Sequence, residues 1–256
     1  MANLIILAPA TISALSASRG SGALNLLTAD PKEVWADTGA AGSVSIDVDL
    51  GGLQPVDTIY LGSLYGAASA ASWTISGGAA GYVETVIKPA GPLRVPDVAG
   101  RAAAVSHALW HGASRVVRYI RISITIPAGA PQLMVGVLMV GAAFRPSWNK
   151  EWGSGRRPID TGTATALPSG GFGIGEGVRK AAYYWTLGDL AGEEVDRLYD
   201  LAIDRGETRT VLVVEDPDQT VGLRNRIHYG LFERFRQYER RNRMQTRWEF
   251  GLEQWV

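Results

Sequence analysis

The chain has 256 residues and no cysteine, and its 25 Lys and Arg balance its 25 Asp and Glu, so the formal net charge is zero. The absence of cysteine excludes disulfides, thiolate nucleophiles and zinc sites built on Cys. A zero net charge provides no long-range field that would attract nucleic acid or an acidic membrane. This length is enough to bury one large core or two modest ones.

The chain contains two apolar stretches that bear on targeting. Residues 1–10 include a short apolar run without a basic region before it, which indicates a strand and not a signal peptide. Residues 133–144 form the longest apolar run, which falls short of the roughly 20 residues that a membrane-spanning helix needs. We therefore expect a protein that folds in the cytosol and has no membrane partner.

Period-two alternation is clearest in residues 118–126. Ile120, Ile122, Ile124 and Ile126 fall on one face, and the positions between them are mostly polar. Alternation of β-branched and polar residues is typical of a half-buried strand.

Further segments of the N-terminal half share strand character. Residues 44–50 alternate, and Gly51-Gly52 is expected to end that strand. Asp47 and Asp49 lie on its outward face, where we interpret them as surface charge. The remaining strand candidates are residues 56–64, 72–76, 85–87 and 133–140. The pattern predicts a mainly β protein with a β-sandwich over residues 1–145.

Four motifs in this half carry a resemblance. They are "NLLTADP" followed by "VW" at 25–35, "VSIDVDLG" at 44–51, "VDTIYL" at 56–61 and "RYIRI" at 118–122. In order and spacing they resemble the discoidin-type (galactose-binding-like) jelly roll over about residues 11–143. The resemblance implies a sandwich framework, with sugar binding as a separate question because these motifs do not encode ligand loops.

Residues 146–177 differ in composition from what precedes them. Residues 153–177 are rich in Gly, Ser, Thr and Pro, which indicates a linker or an extended arm that contacts neighbours in an assembly. Arg156 and Arg157 lie in this segment and are candidates for contact with an acidic patch of another subunit.

Residues 178–256 predict a second domain, a small α+β barrel with one helix. Asp189 is placed to cap a helix that ends near Gly206, and residues 210–214 form a buried strand. Residues 227–238 and 245–255 predict a long hairpin. This order resembles the tail-tube fold of phage distal tail and baseplate proteins, with the two modules in the reverse of the usual order.

The two resemblances together imply a structural component of a siphophage tail tip, a distal tail or baseplate ring protein. They imply a homo-oligomeric ring, hexameric or trimeric, that contacts tail tube and baseplate hub proteins. The expected location is the virion tail, assembled in the host cytoplasm.

Arginines are dense in the predicted hairpin, interleaved with aromatic residues. Such interleaving occurs in nucleic-acid binders, but alternation on a hairpin sends the arginines outward, and the zero net charge argues against a dedicated DNA-binding protein. We instead predict intersubunit contacts at Arg236, Arg240, Arg241 and Arg243.

The alternative function is a carbohydrate-binding module that recognises host-surface glycans through Tyr65, Trp73 or Trp110. His107 and His111 have the spacing of two zinc ligands on a helix, but no third ligand lies nearby in sequence. No nucleophile, acid–base pair or metal cluster can be assembled from spacing, so we expect no enzyme activity, no metal and no cofactor.

Overall fold

The computed structural model describes residues 3–100, 103–242 and 245–256. The chain divides into two compact units. Unit 1 comprises residues 1–145 and 210–227, and unit 2 comprises residues 146–209 and 228–256. The predicted second domain therefore differs from unit 2, because residues 210–227 belong to unit 1 and residues 146–177 belong to unit 2.

Unit 1 is built from antiparallel strands. In chain order they are β1 (Ile5–Leu7), β2 (Ala14–Ala17), β3 (Trp35–Ala36), β4 (Gly42–Tyr65), β5 (Ser72–Gly78), β6 (Thr85–Pro92), β7 (Val105–Ile126), β8 (Met134–Gly141) and β13 (Val211–Val214). The main sheet has the order β3-β8-β4-β7-β5-β6, and β2 pairs with β4. β13 pairs with β1, with Ile6 opposite Val213.

The two long strands β4 and β7 pair along most of their length. The predicted break at Gly51-Gly52 is wrong, because β4 continues to Tyr65 with a shift of register between Asp49 and Gln54. Gly51 has a φ of 75°, a conformation that glycine adopts readily. The glycine pair therefore bends the strand in the manner of a β-bulge and does not end it.

The core of unit 1 lies between the two halves of this curled sheet. The predicted inward positions of β7 are confirmed, since Ile120, Ile122 and Ile124 are fully buried. The inward positions of both halves of β4 join the same hydrophobic cluster. Trp35 is also fully buried, and its Nε1 donates a hydrogen bond to the carbonyl oxygen of Arg19 at 3.2 Å.

Unit 2 contains the remaining strands and the helix. They are β9 (Gly155–Asp160), β10 (Thr163–Ala166), β11 (Phe172–Gly175), β12 (Arg179–Leu190), α1 (Gly192–Arg205), β14 (Ile227–Phe232), β15 (Glu239–Arg240) and β16 (Thr246–Gln254). Residues 146–177, predicted as a linker or an assembly arm, contain the three strands β9, β10 and β11. β9 pairs with β12, and β10 pairs with β11 as a separate two-stranded hairpin.

The N-cap of the helix lies two residues after its predicted position. Asp189 is not the N-cap, because its φ of 49° places it in a left-handed turn and Ala191 occupies the cap position. The Glu194 carboxylate instead accepts a hydrogen bond from the Ala191 backbone N–H at 3.0 Å. The predicted end is confirmed at Gly206, whose N–H donates to the carbonyl oxygen of Ala202.

An aromatic column fills the core of unit 2. Tyr183 stacks on His228 at a centroid distance of 4.6 Å and on Trp185 at 5.1 Å, and Trp185 stacks on Phe250 at 5.4 Å. The predicted long hairpin is interrupted, because β14 ends at Phe232 and only the short β15 resumes pairing with β16.

The mainly β class with a β-sandwich and one helix is confirmed for the described part of the chain. No helix among the described residues is both long enough and apolar enough to cross a membrane.

The inward face of β7 gives a stability prediction. Replacing the fully buried Ile122 by Ala should lower the free energy of unfolding by about 2–5 kcal/mol, because it removes buried methyl groups and leaves a cavity. The matched change Thr125→Ala, at an exposed position of the same strand, should stay within about 0.5 kcal/mol. Urea denaturation followed by circular dichroism measures both, and equal losses would contradict the assigned faces.

Candidate functional site

The outward surface of the unit 1 sheet carries a cluster that we call the tyrosine–arginine face. It lies where β4, β7 and the loop after β5 come together. Its members combine carboxylate, guanidinium and phenol groups: Asp47, Asp49, Tyr82, Arg118, Tyr119 and Arg121.

Two bidentate ion pairs hold this face together. Arg121 Nε and Nη2 each lie 2.6 Å from an oxygen of Asp47, its direct cross-strand neighbour. Arg118 Nε and Nη2 lie 2.8 and 3.0 Å from the oxygens of Asp49. A bidentate pair fixes the plane of the guanidinium, so its remaining N–H groups have defined directions. These pairs are about one-third exposed on the arginine side, so we expect them to position groups more than to stabilise the fold.

The two tyrosines are held by the arginines and by each other. The rings of Tyr82 and Tyr119 meet edge to face with centroids 5.0 Å apart. The guanidinium carbon of Arg118 lies 4.7 Å from the Tyr119 centroid, and that of Arg121 lies 5.5 Å from the Tyr82 centroid. Such cation–π contacts restrict the orientation of the rings.

The loop that carries Tyr82 is anchored at both ends. The Glu84 carboxylate accepts hydrogen bonds from the backbone N–H groups of Ala79 and Ala80 at 3.0 and 2.8 Å. Ser76 Oγ donates to the carbonyl oxygen of Tyr82 at 2.9 Å. The Tyr82 ring is therefore presented from a defined loop conformation on a rigid sheet.

The protonation states of this face follow from its geometry. The hydrogen bond from Arg118 holds the pKa of Asp49 below its ordinary value, and the hydrogen bond to Asp47 raises the pKa of Arg121. Burial, assisted by Asp47 and Asp49, raises the pKa of Tyr82. The formal charges of its two aspartates and two arginines cancel.

The aromatic residues predicted to contact glycans do not form such a surface. Trp73 is 1% exposed and lies in the sandwich core under the Lys88 ammonium, so its ring is not presented at the surface, and its contact with a glycan stays a prediction. Trp110 is half-buried and packs against the same core. Tyr65 is half-buried at the end of β4. Trp73 is buried because it occupies an inward position of β5, and alternate residues of a strand face the core.

Of the arginines predicted for intersubunit contact, those that the structure describes are exposed, and several are engaged within the chain. Arg157 Nη2 donates to the Tyr184 hydroxyl at 2.9 Å, while Arg236 and Arg241 pair with Glu249 and Glu151. Arg156 lies on β9 and Arg240 on β15. Arg243 lies outside the described residues. Their role in intersubunit contact stays a prediction.

The three histidines do not come together in one site, because each contacts a different part of the chain. His107 Nδ1 lies 2.9 Å from the buried Tyr60 hydroxyl, and His111 Nε2 lies 3.3 Å from the carbonyl oxygen of Pro217. His228 belongs to the aromatic column of unit 2. Within residues 3–100, 103–242 and 245–256, no group of three or more His, Asp or Glu side chains is arranged to hold a metal ion.

No protein-family model and no curated protein matches this chain. Solved structures do match about half of it. A carbohydrate-binding module from a family 31 glycoside hydrolase of Clostridium perfringens is 18% identical over 54% of this chain and 94% of its own, with a TM-score of 0.42. The carbohydrate-binding module of AlyQ, solved with unsaturated mannuronic acid, is 18% identical over 52% of this chain and 98% of its own, with a TM-score of 0.40.

A fucosidase of Ruminococcus gnavus, solved with fucose, is 14% identical, with a TM-score of 0.39. The match covers 51% of this chain and only 25% of the fucosidase. Likeness at this level defines no equivalent residues, so no binding site is transferred to this chain from these proteins.

The tyrosine–arginine face was only partly visible in the sequence. The alternation of residues 44–50 placed Asp47 and Asp49 outward, and that of residues 118–126 placed Arg121 outward. Nothing in the periodicity indicated that these side chains are cross-strand partners or that Tyr82, from another loop, completes the face.

The Asp49–Arg118 pair gives a pH prediction. Because the pKa of Asp49 is lowered in the folded protein, the stability it contributes is fully present above its ordinary value of 3.8 and is lost as the pH falls through the lower folded value. NMR titration of the Asp49 carboxyl should give a midpoint below 3.8, and Arg118→Gln should raise it. An unchanged midpoint in Arg118→Gln would contradict the pairing.

Proposed function

We propose that the chain is a non-catalytic binding protein whose unit 1 recognises neutral carbohydrate on the tyrosine–arginine face. The observation that carries this proposal is a rigid, charge-balanced surface in which fixed hydrogen-bonding groups adjoin two aromatic rings.

The hydrogen-bonding groups of the face suit a polyhydroxyl ligand. Arg118 and Arg121 each use Nε and Nη2 on a carboxylate, and Nη1 of each has no hydrogen bond to another described residue. Guanidinium groups donate only, whereas carboxylates accept only. A sugar hydroxyl both donates and accepts hydrogen bonds, so neighbouring hydroxyls of a sugar pair with the adjacent guanidinium donors and carboxylate acceptors of the face.

The balance of charge distinguishes neutral from charged ligands. Asp47 and Asp49 neutralise Arg121 and Arg118, so an anion such as a phosphate gains no net attraction from the face. The rings of Tyr82 and Tyr119 add apolar surface that packs against the C–H groups of a sugar ring. Neutral saccharides therefore fit the face better than anions.

The experiment is a titration of the full chain with a panel of neutral mono- and oligosaccharides, followed by NMR chemical shifts and calorimetry. Tyr119→Ala should weaken the binding of a saccharide by about 0.5–1.5 kcal/mol, or roughly two- to tenfold in Kd, because the ring contact is lost. Tyr119→Phe should retain most of that contact.

The matched control is Tyr199→Ala, which removes a tyrosine that is 47% exposed on α1 in unit 2. This control should leave saccharide binding unchanged. Failure of every saccharide to shift resonances of the face, or equal binding by Tyr119→Ala and the unaltered chain, would reject the proposal.

A second candidate function is supported by a different observation in unit 2. Large apolar side chains are exposed there, including Trp148 at 69% and Trp152 at 104%, and the β10–β11 hairpin lies apart from the sheet. Exposed apolar groups of this size are common at protein–protein interfaces. This feature supports the second candidate, an assembling component of a siphophage tail tip.

Electron microscopy of the purified chain tests this second candidate. Closed rings with a central opening are the expected result, since head-to-tail contacts between copies close into rings when the rotation permits. A field of single particles of monomer size at micromolar concentration would count against it. Saccharide binding does not affect this outcome, so the two candidates are tested separately.

A further inference from the structure

The apolar side chains of the β10–β11 hairpin are exposed to solvent. Its strands pair only with each other among the described residues. Leu167, Phe172 and Ile174 are 45%, 68% and 74% exposed. A two-stranded hairpin is marginally stable in water unless it packs on something.

The register of the hairpin sorts its residues into two faces. Ala164 is opposite Ile174, and Ala166 is opposite Phe172. Residues that face each other across a ladder point to the same side, so these four residues share one apolar face. The other face consists of threonine and glycine. This pattern is that of a strand pair with one face buried, although that face is uncovered within the chain.

A groove that is lined partly by apolar residues lies in unit 2. Its cavity volume is about 700 Å³. Its apolar lining residues are Val178, Leu231, Phe232, Trp255 and Val256. The charged residues of its lining are Lys180, Glu207, Glu233, Arg234 and Glu253. Lys180 and Glu253 form an ion pair, Glu207 accepts a hydrogen bond from the Phe235 backbone N–H, and Glu233 accepts one from the Tyr184 hydroxyl.

Glu176 of the hairpin and Arg234 of the groove are opposite in charge. Glu176 is the only charged residue between 161 and 177, and it is exposed. Arg234 is exposed at the groove and forms no ion pair with any other described residue. Neither forms an ion pair with another described residue, and each adjoins the exposed apolar surface of its own element.

We propose that the apolar face of this hairpin docks into the groove of a second copy of the chain. Phe172 and Ile174 enter the groove, and Glu176 pairs with Arg234 of that copy. Every copy then offers one hairpin and one groove, so the contact is head-to-tail and can build a ring or a filament. The proposal is independent of saccharide binding and specifies one surface for the tail-tip candidate.

Sedimentation of the full chain across the micromolar range tests the apolar part of the contact. The unaltered chain should associate, and Phe172→Ser with Ile174→Ser should weaken association at least tenfold. The matched control, Val83→Ser with Val86→Ser, removes two apolar side chains of similar exposure from unit 1 and should associate like the unaltered chain. Both positions of the test pair are exposed, so the fold should survive.

A charge exchange tests the polar part. Glu176→Arg and Arg234→Glu should each weaken association several-fold, and an equimolar mixture of the two variants should recover association between unlike chains. An unaltered chain that is monomeric throughout the range overturns the proposal. So does a mixture that associates no better than its components, or a serine pair that behaves as its control does.

Saccharide titration of the Phe172→Ser, Ile174→Ser variant separates this proposal from the proposed function. The tyrosine–arginine face lies in unit 1, so the variant should bind saccharide as the unaltered chain does. Rings that persist in the variant would place the contact on another surface and reject the hairpin as its basis.

Discussion

The long antiparallel pairing of β4 with β7 is the constraint on which unit 1 depends. It runs from Gly42 opposite Ile126 to Tyr65 opposite Val105, interrupted by shifts of register. Each strand bends at these shifts, so its inward residues from both halves reach the same core. Because a strand alternates its faces, burial of the inward set leaves the outward set in fixed positions on the surface. The tyrosine–arginine face is a consequence of that register.

That register explains why the face is ordered although its ion pairs contribute little to stability. Asp47 is held opposite Arg121 by the backbone ladder, so the two side chains start within reach of each other and the ion pair needs no backbone rearrangement. Tyr82 then packs on Tyr119 from a loop that Glu84 anchors. Burial of the inward side chains fixes the positions of the strands, and the side chains available to a ligand lie on the exposed face.

Unit 2 follows a different principle. Its core depends on the stacking of large rings, with Tyr183 and Trp185 on β12 and Phe250 on β16. The β10–β11 hairpin stands apart from this core and keeps its apolar face exposed. An element that completes no core within its own chain is best understood by what it packs against outside it. This contrast separates the roles that we propose for the two units.

The sequence by itself determined the local features: the inward isoleucines of β7, the end of the helix at Gly206 and the mainly β class. These follow from periodicity and backbone preference, which act between neighbours along the chain. Only the tertiary structure decided that Trp73 is buried, that residues 211–214 pair with β1, and that Tyr82 joins Tyr119. These features depend on register and on contacts between distant segments. Local periodicity does not predict them, because it specifies which face of a strand a residue lies on but not which residue lies opposite.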